Sequence, residues 1–230
     1  AQLVWPPVFQ TAQKLVVHHT AGANGEMGAP ARATIRAIYY YHAVTEGWGD
    51  IGYNFLVDAA GTIYKGRSTS QFLLDNGDTS GENSLAQGVT AGHAYGYNSG
   101  TVGVALLGTF TTVDATPAAK DGLAAFLAWK AGAHGLDALG SSLYTNPVNG
   151  TQIGFPNVPG HQQVPNNTTE CPGGSWGGPA FVKCERPGSG VAGARHGGRH
   201  VRRKPAGARR SPERGNAARR HGAGRRSEDR

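Results

Sequence analysis

Hydrophobic and polar positions alternate along this chain in blocks that predict an ordered series of elements. Lys14-Leu15-Val16-Val17-His18-His19 is an apolar run closing on two imidazoles, and its length and β-branched content predict a buried strand. Ala31 to Val44 places Ile35, Ile38, Tyr39 and His42 at three- and four-residue spacing, which predicts one face of a helix ended by Gly47. Tyr53 to Val57 and Thr62 to Tyr64 flank Asp58-Ala59-Ala60-Gly61 and predict a short hairpin. Thr101 to Leu107 is a third apolar strand. Thr116-Pro117 opens a second helix as cap and first-turn proline, and Leu123, Phe126, Leu127 and Lys130 carry its stripe to a stop at Gly135. Ser68 to Gly92 has no period and reads as a long polar loop.

Strand, helix, hairpin, strand and helix in that order predict an α/β fold, a central mixed sheet flanked by helices. No repeat of 20 to 50 residues is visible. Charge then divides the 230 residues: positions 1–184 hold 8 Lys and Arg against 11 Asp and Glu, net −3, whereas 185–230 hold 14 against 4, net +10. The pI of 9.6 therefore describes the tail. We read 1–184 as one domain with enough apolar residues for an ordinary core. Residues 185–230, rich in Arg and Gly with almost no large apolar side chain, read as disordered. Clustered arginine attracts polyanions without any fold, so the tail carries no functional argument, and no nucleic-acid partner is expected for the domain. No apolar run reaches 18 residues, so no membrane span is expected. The chain starts at Ala1 and shows no signal peptide, consistent with a processed or trimmed start.

The chemistry concentrates in few residues. A strand end at His18-His19 can aim an imidazole into a cleft, and the later segment Gly160-His161 to Cys171-Pro172-Gly173 can add an imidazole and a thiolate. Three protein ligands are the mark of a catalytic zinc site, which keeps a position for water, while structural sites close with four. His18 and His19 point to opposite faces of a strand, so only one of them suits the cleft. Cys171 and Cys184 are the only cysteines, and a bond between them would withdraw Cys171 from metal. We read Cys171 as the ligand and Cys184 as a spare thiol.

Four ordered blocks carry a resemblance: Val17-His18-His19-Thr20-Ala21-Gly22, Asp50-Ile51-Gly52-Tyr53-Asn54-Phe55, Gly92-His93-Ala94-Tyr95-Gly96-Tyr97-Asn98 with Val102 to Gly108, and Gly160-His161 to Cys171-Pro172-Gly173. Over about residues 12–184 the chain resembles the type 2 N-acetylmuramoyl-L-alanine amidases, a family that includes the peptidoglycan recognition proteins. The resemblance implies Zn2+ on His18, His161 and Cys171, and a catalytic Tyr53 whose hydroxyl donates to the developing oxyanion. Thr169 stands two residues before Cys171, where phage members carry Lys and active recognition proteins carry Thr; it is the second candidate catalytic donor. His93 and Asn98 match a groove-lining segment and are expected to contact glycan or stem peptide. Nine residues separate His161 from Cys171, about two more than in similar sequences, and Glu170 is a further carboxylate near the site. Trp48 is expected to edge the cleft, and His42 and His134 to be structural.

The implied function is zinc-dependent hydrolysis of the amide joining N-acetylmuramic acid to L-alanine in peptidoglycan, by a secreted or wall-associated protein. A non-catalytic recognition protein would be expected to lack one ligand. A recycling amidase would carry a charged group in place of Thr169. A structural zinc module would need a fourth protein ligand, such as His19 or Cys184.

Overall fold

The computed structural model describes residues 7–67 and 80–174. The expected first strand is β2 (Lys14–His19), following a two-residue β1 (Phe9–Gln10). Then come α1 (Gly28–Tyr40), β3 (Phe55–Val57), β4 (Ile63–Lys65), β5 (Gly88–Val89), β6 (Thr101–Leu106), α2 (Pro117–Ala133), β7 (Ser141–Thr145) and β8 (Gln152–Pro156). The main sheet has the order β2-β6-β3-β4. Its first three strands are parallel and β4 returns antiparallel on β3, so the sheet is mixed, as the sequence predicts.

Alternation along the strands gives each face its own cover. Leu15, Val17, Phe55, Val57, Val102, Val104 and Leu106 meet Leu123, Phe126 and Leu127 of α2. Thr116 caps α2 by accepting the Ala119 N–H at 3.1 Å. Leu56 and Leu107 instead meet Ala31, Ile35 and Ile38 of α1. Tyr39, expected on the buried face of that helix, is 43% exposed: the core-facing stripe is Ala31-Ile35-Ile38, and Tyr39 lies one step, about 100°, beyond Ile38. The helix also loosens earlier than expected, into a π-turn over Tyr41–Thr45 before Gly47 turns the chain at φ +72°. In the predicted hairpin, Asp58 accepts the N–H groups of Ala60 and Thr62 at 2.9 Å and the Tyr64 hydroxyl at 2.8 Å.

Three features are absent from the expected layout. β1 pairs with β5, so part of the stretch read as loop is a short strand; positions 68–79 of that stretch lie outside the described residues. The antiparallel β7–β8 hairpin occupies 141–156. Residues 157–160 run beside β2, where Leu15 and Val17 donate to the carbonyls of Asn157 and Pro159 at 2.9 Å. The expected division near 184, the basic tail and Cys184 all lie outside the described residues.

One buried cation fastens the hairpin to β2. Lys14 is fully buried, and its Nζ donates to Ser142 O and Oγ at 2.8 Å and to Phe155 O and Asn157 Oδ1 at 2.9 Å. Every one of these acceptors is neutral. Burial pushes Lys14 down to about 8, so at neutral pH the ammonium persists and its donors are matched.

Lys14→Met keeps the volume and removes the donors. Leaving these buried acceptors unmatched costs about 2 kcal/mol, which for a domain of this size lowers Tm by about 4–8 °C, measurable by calorimetry. Because the folded state holds the Lys14 proton less tightly than the unfolded chain, stability rises as pH climbs from about 8 towards 10.5. Lys14→Met has no such titration, so the stability gap between the proteins widens over that window.

Candidate metal centre

The site forms at the carboxyl end of β2, where ligands of open α/β sheets gather. Val17 bridges Gly160 in parallel, so the residues that follow, His18 and His161, come side by side with ring centroids 4.5 Å apart. The Gln162 N–H donates to the Cys171 carbonyl at 2.7 Å and closes the loop between them, with Asn166 at φ +60°. The two extra residues expected in this loop therefore do not prevent convergence. The His19 backbone N–H points at Cys171 Sγ at 3.3 Å. One donor atom from each of His18, His161 and Cys171 lies within 4.8 Å of the others.

The ring nitrogens identify which atoms face inward. His161 Nε2 pairs with Asn167 Oδ1 at 3.1 Å, an oxygen that only accepts, leaving His161 Nδ1 its lone pair. Thr101 donates its hydroxyl to Tyr97 O at 2.6 Å and can then accept from His93 Nε2, 3.3 Å away. With that proton on Nε2, His93 Nδ1 accepts from His18 Nε2 at 3.0 Å, and His18 Nδ1 faces Cys171 Sγ at 3.7 Å. Tetrahedral zinc with bonds of about 2.0–2.1 Å to nitrogen and 2.3 Å to sulfur separates such donors by about 3.6 Å. The geometry and the nitrogen-sulfur donor set fit a zinc-class cation.

Electrostatics agree with neutral imidazole donors. Burial, then the neighbouring His93, His161 and His19, hold His18 well below the usual histidine range. Burial lowers His161 as well, against its bond to Asn167. Burial pushes the Cys171 thiol up to about 11 while the His19 N–H draws it down, so metal uptake would release its proton. His19 is committed elsewhere: Nδ1 accepts the Phe110 N–H at 3.2 Å, and the ring also bonds the Pro172 carbonyl. The structural-zinc alternative thus finds no fourth ligand in His19.

Around these donors lies an open cavity of about 270 Å3, lined among others by His42, Trp48, Tyr53, His93 and Thr169. Tyr53 sets its ring 5.5 Å from that of His18. Burial and then the nearby Cys171 push its phenol far up, so it stays protonated and serves as a donor. Thr169 accepts the Cys171 N–H at 3.1 Å, which leaves its own proton to donate. Glu170 is exposed beside them. Trp48 stacks on His42 at 4.8 Å, and His42 Nδ1 accepts from Gly52, so His42 is structural as expected but also lines the cavity. His134 bonds Glu82 at the end of α2, as a structural residue would.

Of the two residues expected in the groove, His93 lines the cavity and Asn98 does not. His93 is 7% exposed, its ring backs His18, and burial, then His161 and Arg67, lower it to about 3. Asn98 Oδ1 accepts the N–H groups of His93 and Ala94 at 2.8 Å, so it shapes the loop that holds His93 and does not line the cavity. Gly103, register partner of Val16, admits the His93 ring: a Cβ there would lie 2.5 Å from it. Sequence reading missed this contact because nothing in either segment signals that His93 packs on β6.

A mixed sheet that brings two imidazoles and a thiol together at the carboxyl end of β2, with a phenol beside them, forms a His2Cys set able to hold a metal ion. The chain belongs to the N-acetylmuramoyl-L-alanine amidase family, whose model matches residues 9–174. It is 31% identical over 158 residues to peptidoglycan-recognition protein SC2 of Drosophila simulans, covering 69% of this chain and 66% of that protein. It is 34% identical over 107 residues to the N-acetylmuramoyl-L-alanine amidase of Homo sapiens, covering 46% of this chain and 16% of that one. Among solved structures it is similar to peptidoglycan recognition protein LE in complex with tracheal cytotoxin, a monomeric diaminopimelic acid-type peptidoglycan. That match has a TM-score of 0.54 and 25% identity, and covers 75% of this chain and 82% of that one. Among the described residues, no helix is long and apolar enough to cross a membrane.

Groups that orient a metal-bound histidine are worth about 10- to 100-fold in affinity. His93→Ala, and Gly103→Ala by expelling the same ring, are expected to weaken zinc binding by about tenfold or more, measured by competition with a chromophoric chelator.

Proposed function

We propose that this chain is a zinc-dependent N-acetylmuramoyl-L-alanine amidase that hydrolyses the amide between N-acetylmuramic acid and L-alanine of peptidoglycan. The convergence of His18, His161 and Cys171 beside a protonated Tyr53 in an open cavity carries this reading. Zinc, when bound, supplies Lewis-acid polarisation of the scissile carbonyl and activation of the attacking water. His18 and His161 offer their Nδ1 lone pairs, and Cys171 its sulfur. His93 and Asn167 hold the two imidazoles from behind.

Tyr53 and Thr169 act on the substrate. As the carbonyl carbon becomes tetrahedral its oxygen gains charge, and the Tyr53 hydroxyl, kept protonated by burial, donates to it. Thr169 supplies a second, neutral donor from the loop that carries Cys171. Stabilisation gained only as that charge develops raises kcat more than it lowers KM. The domain extends to about residue 184, and a peptidoglycan substrate places the protein outside the membrane, secreted or associated with the wall.

Purified protein with zinc should release new L-alanine amino termini from cell walls; EDTA should stop the release and zinc restore it. Wall binding without cleavage in zinc would instead make the chain a recognition protein. Tyr53→Phe is expected to lower kcat by about 10²–10³ with zinc content unchanged by metal analysis, because the phenol lies outside the ligand set.

A further inference from the structure

Nine residues separate His161 from Cys171, a longer loop than in similar sequences, and the first of them fold back on the histidine. Val164 donates its N–H to the His161 carbonyl at 3.1 Å, and Asn167 donates its own to the Val164 carbonyl at 3.2 Å. Pro165 and Asn166 are the central residues of that second turn, with Asn166 at φ +60°. Proline followed by a residue that tolerates the left-handed region is what a type II turn requires there. Val164 is buried against Val16 and Ala94, which seats the turn on β2 and on the 92–98 segment. The chain is thereby returned until the Asn167 carboxamide lies against the His161 ring.

Every polar atom of that carboxamide is matched. Nδ2 donates to the Pro165 carbonyl at 3.0 Å and to the Tyr95 carbonyl at 3.3 Å. Carbonyl oxygens only accept, so these two bonds decide which end of the carboxamide is nitrogen without reference to the histidine. The other end, Oδ1, faces His161 Nε2 at 3.1 Å and accepts from it. Among the described residues no other hydrogen bond holds the His161 ring, so no neighbour replaces this one. The 92–98 segment also supplies His93, which accepts from His18 Nε2 at 3.0 Å. One loop therefore stands behind both imidazoles, directly at His18 and through Asn167 at His161. That loop is itself pinned: Asn98 Oδ1 accepts the N–H groups of His93 and Ala94 at 2.8 Å, and Asn146 donates to the Gly96 carbonyl at 3.1 Å.

We propose that Asn167 is a positioning residue of the metal centre, which locks the His161 ring with Nδ1 inward and ties it to the loop that orients His18. The inference rests on the zinc reading given above and adds to it a residue outside the donor set. A free imidazole carries its proton on either nitrogen and turns about its side-chain bonds. An acceptor fixed behind Nε2 removes both freedoms before a cation arrives, so less ordering is left to be done on binding.

The test measures metal binding by the full chain, not cleavage. Asn167→Ala should weaken zinc about tenfold or more in competition with a chromophoric chelator. Asn167→Asp keeps an acceptor behind Nε2 and gives up both donors to the carbonyls, so it should retain most of the affinity that Asn167→Ala loses. Equal losses in the two variants would reduce the carboxamide to a tie between loops and overturn the proposal. Cobalt in place of zinc gives a readout independent of affinity, because the ring N–H of a coordinated histidine appears as a shifted proton resonance only while an acceptor protects it from exchange. His18 and His161 should each give one in wild type, and Asn167→Ala should keep that of His18 alone. Persistence of both resonances in Asn167→Ala, or zinc affinity equal to wild type, overturns the proposal. A wild type that takes up neither metal overturns the metal centre and the proposal together. A wild type that binds zinc but leaves cell walls uncut counts against the amidase reading alone, with the affinities still deciding the role of Asn167.

Discussion

The parallel bridge between Val17 and Gly160 is the constraint on which the functional architecture rests. β2 is the first strand of the sheet, so its free edge can accept the returning chain, and Leu15 and Val17 direct their N–H groups to it. Backbone bonds, not the imidazoles themselves, thus decide that His18 and His161 stand together. Side chains in a strand alternate, so Lys14, Val16 and His18 share one face of β2. That face holds the hairpin, packs on Ala94 and Val164, and presents the first donor. A one-residue slip of this pairing would send the set to the other face.

The candidate metal donors are held from two layers. Nearest are the loop closures that bring Cys171 under the His19 N–H and His161 against Asn167. Behind them runs the series Thr101, His93 and His18, which settles which nitrogen bears a proton. Only a glycine at 103 leaves room for the middle ring. The absence of a side chain on β6 is in this sense as much a part of the site as the donors.

Much of this was legible in the sequence, and what was not has physical reasons. β2, β6, the 58–61 turn and α2 follow from periodicity and capping, which act locally. His18, His161 and Cys171 were named together through the family resemblance; strand alternation by itself says only that one of His18 and His19 faces the cleft. Tyr53 and Thr169 lie where the resemblance puts them, at the cavity wall. His93 and Asn98 were read as groove residues because their segment matches one that lines the groove in similar proteins. Their actual partners, β6 and the loop's own backbone, depend on tertiary packing that one segment does not encode. The β7–β8 hairpin did carry a signal, the turn dipeptides Asn146-Pro147 and Asn149-Gly150 between apolar positions, which went unread. Tyr39 was placed by spacing alone, one step too far around the helix.

The cavity at the metal centre is an open trough instead of a closed chamber, and His93 plugs its floor from behind. Reactants must therefore lie across the surface, with nothing to be threaded through. A site of this shape has no need of a free terminus. On the amidase reading proposed above, it would act on a side branch anywhere along a cross-linked mesh, a target too large to enter any pocket.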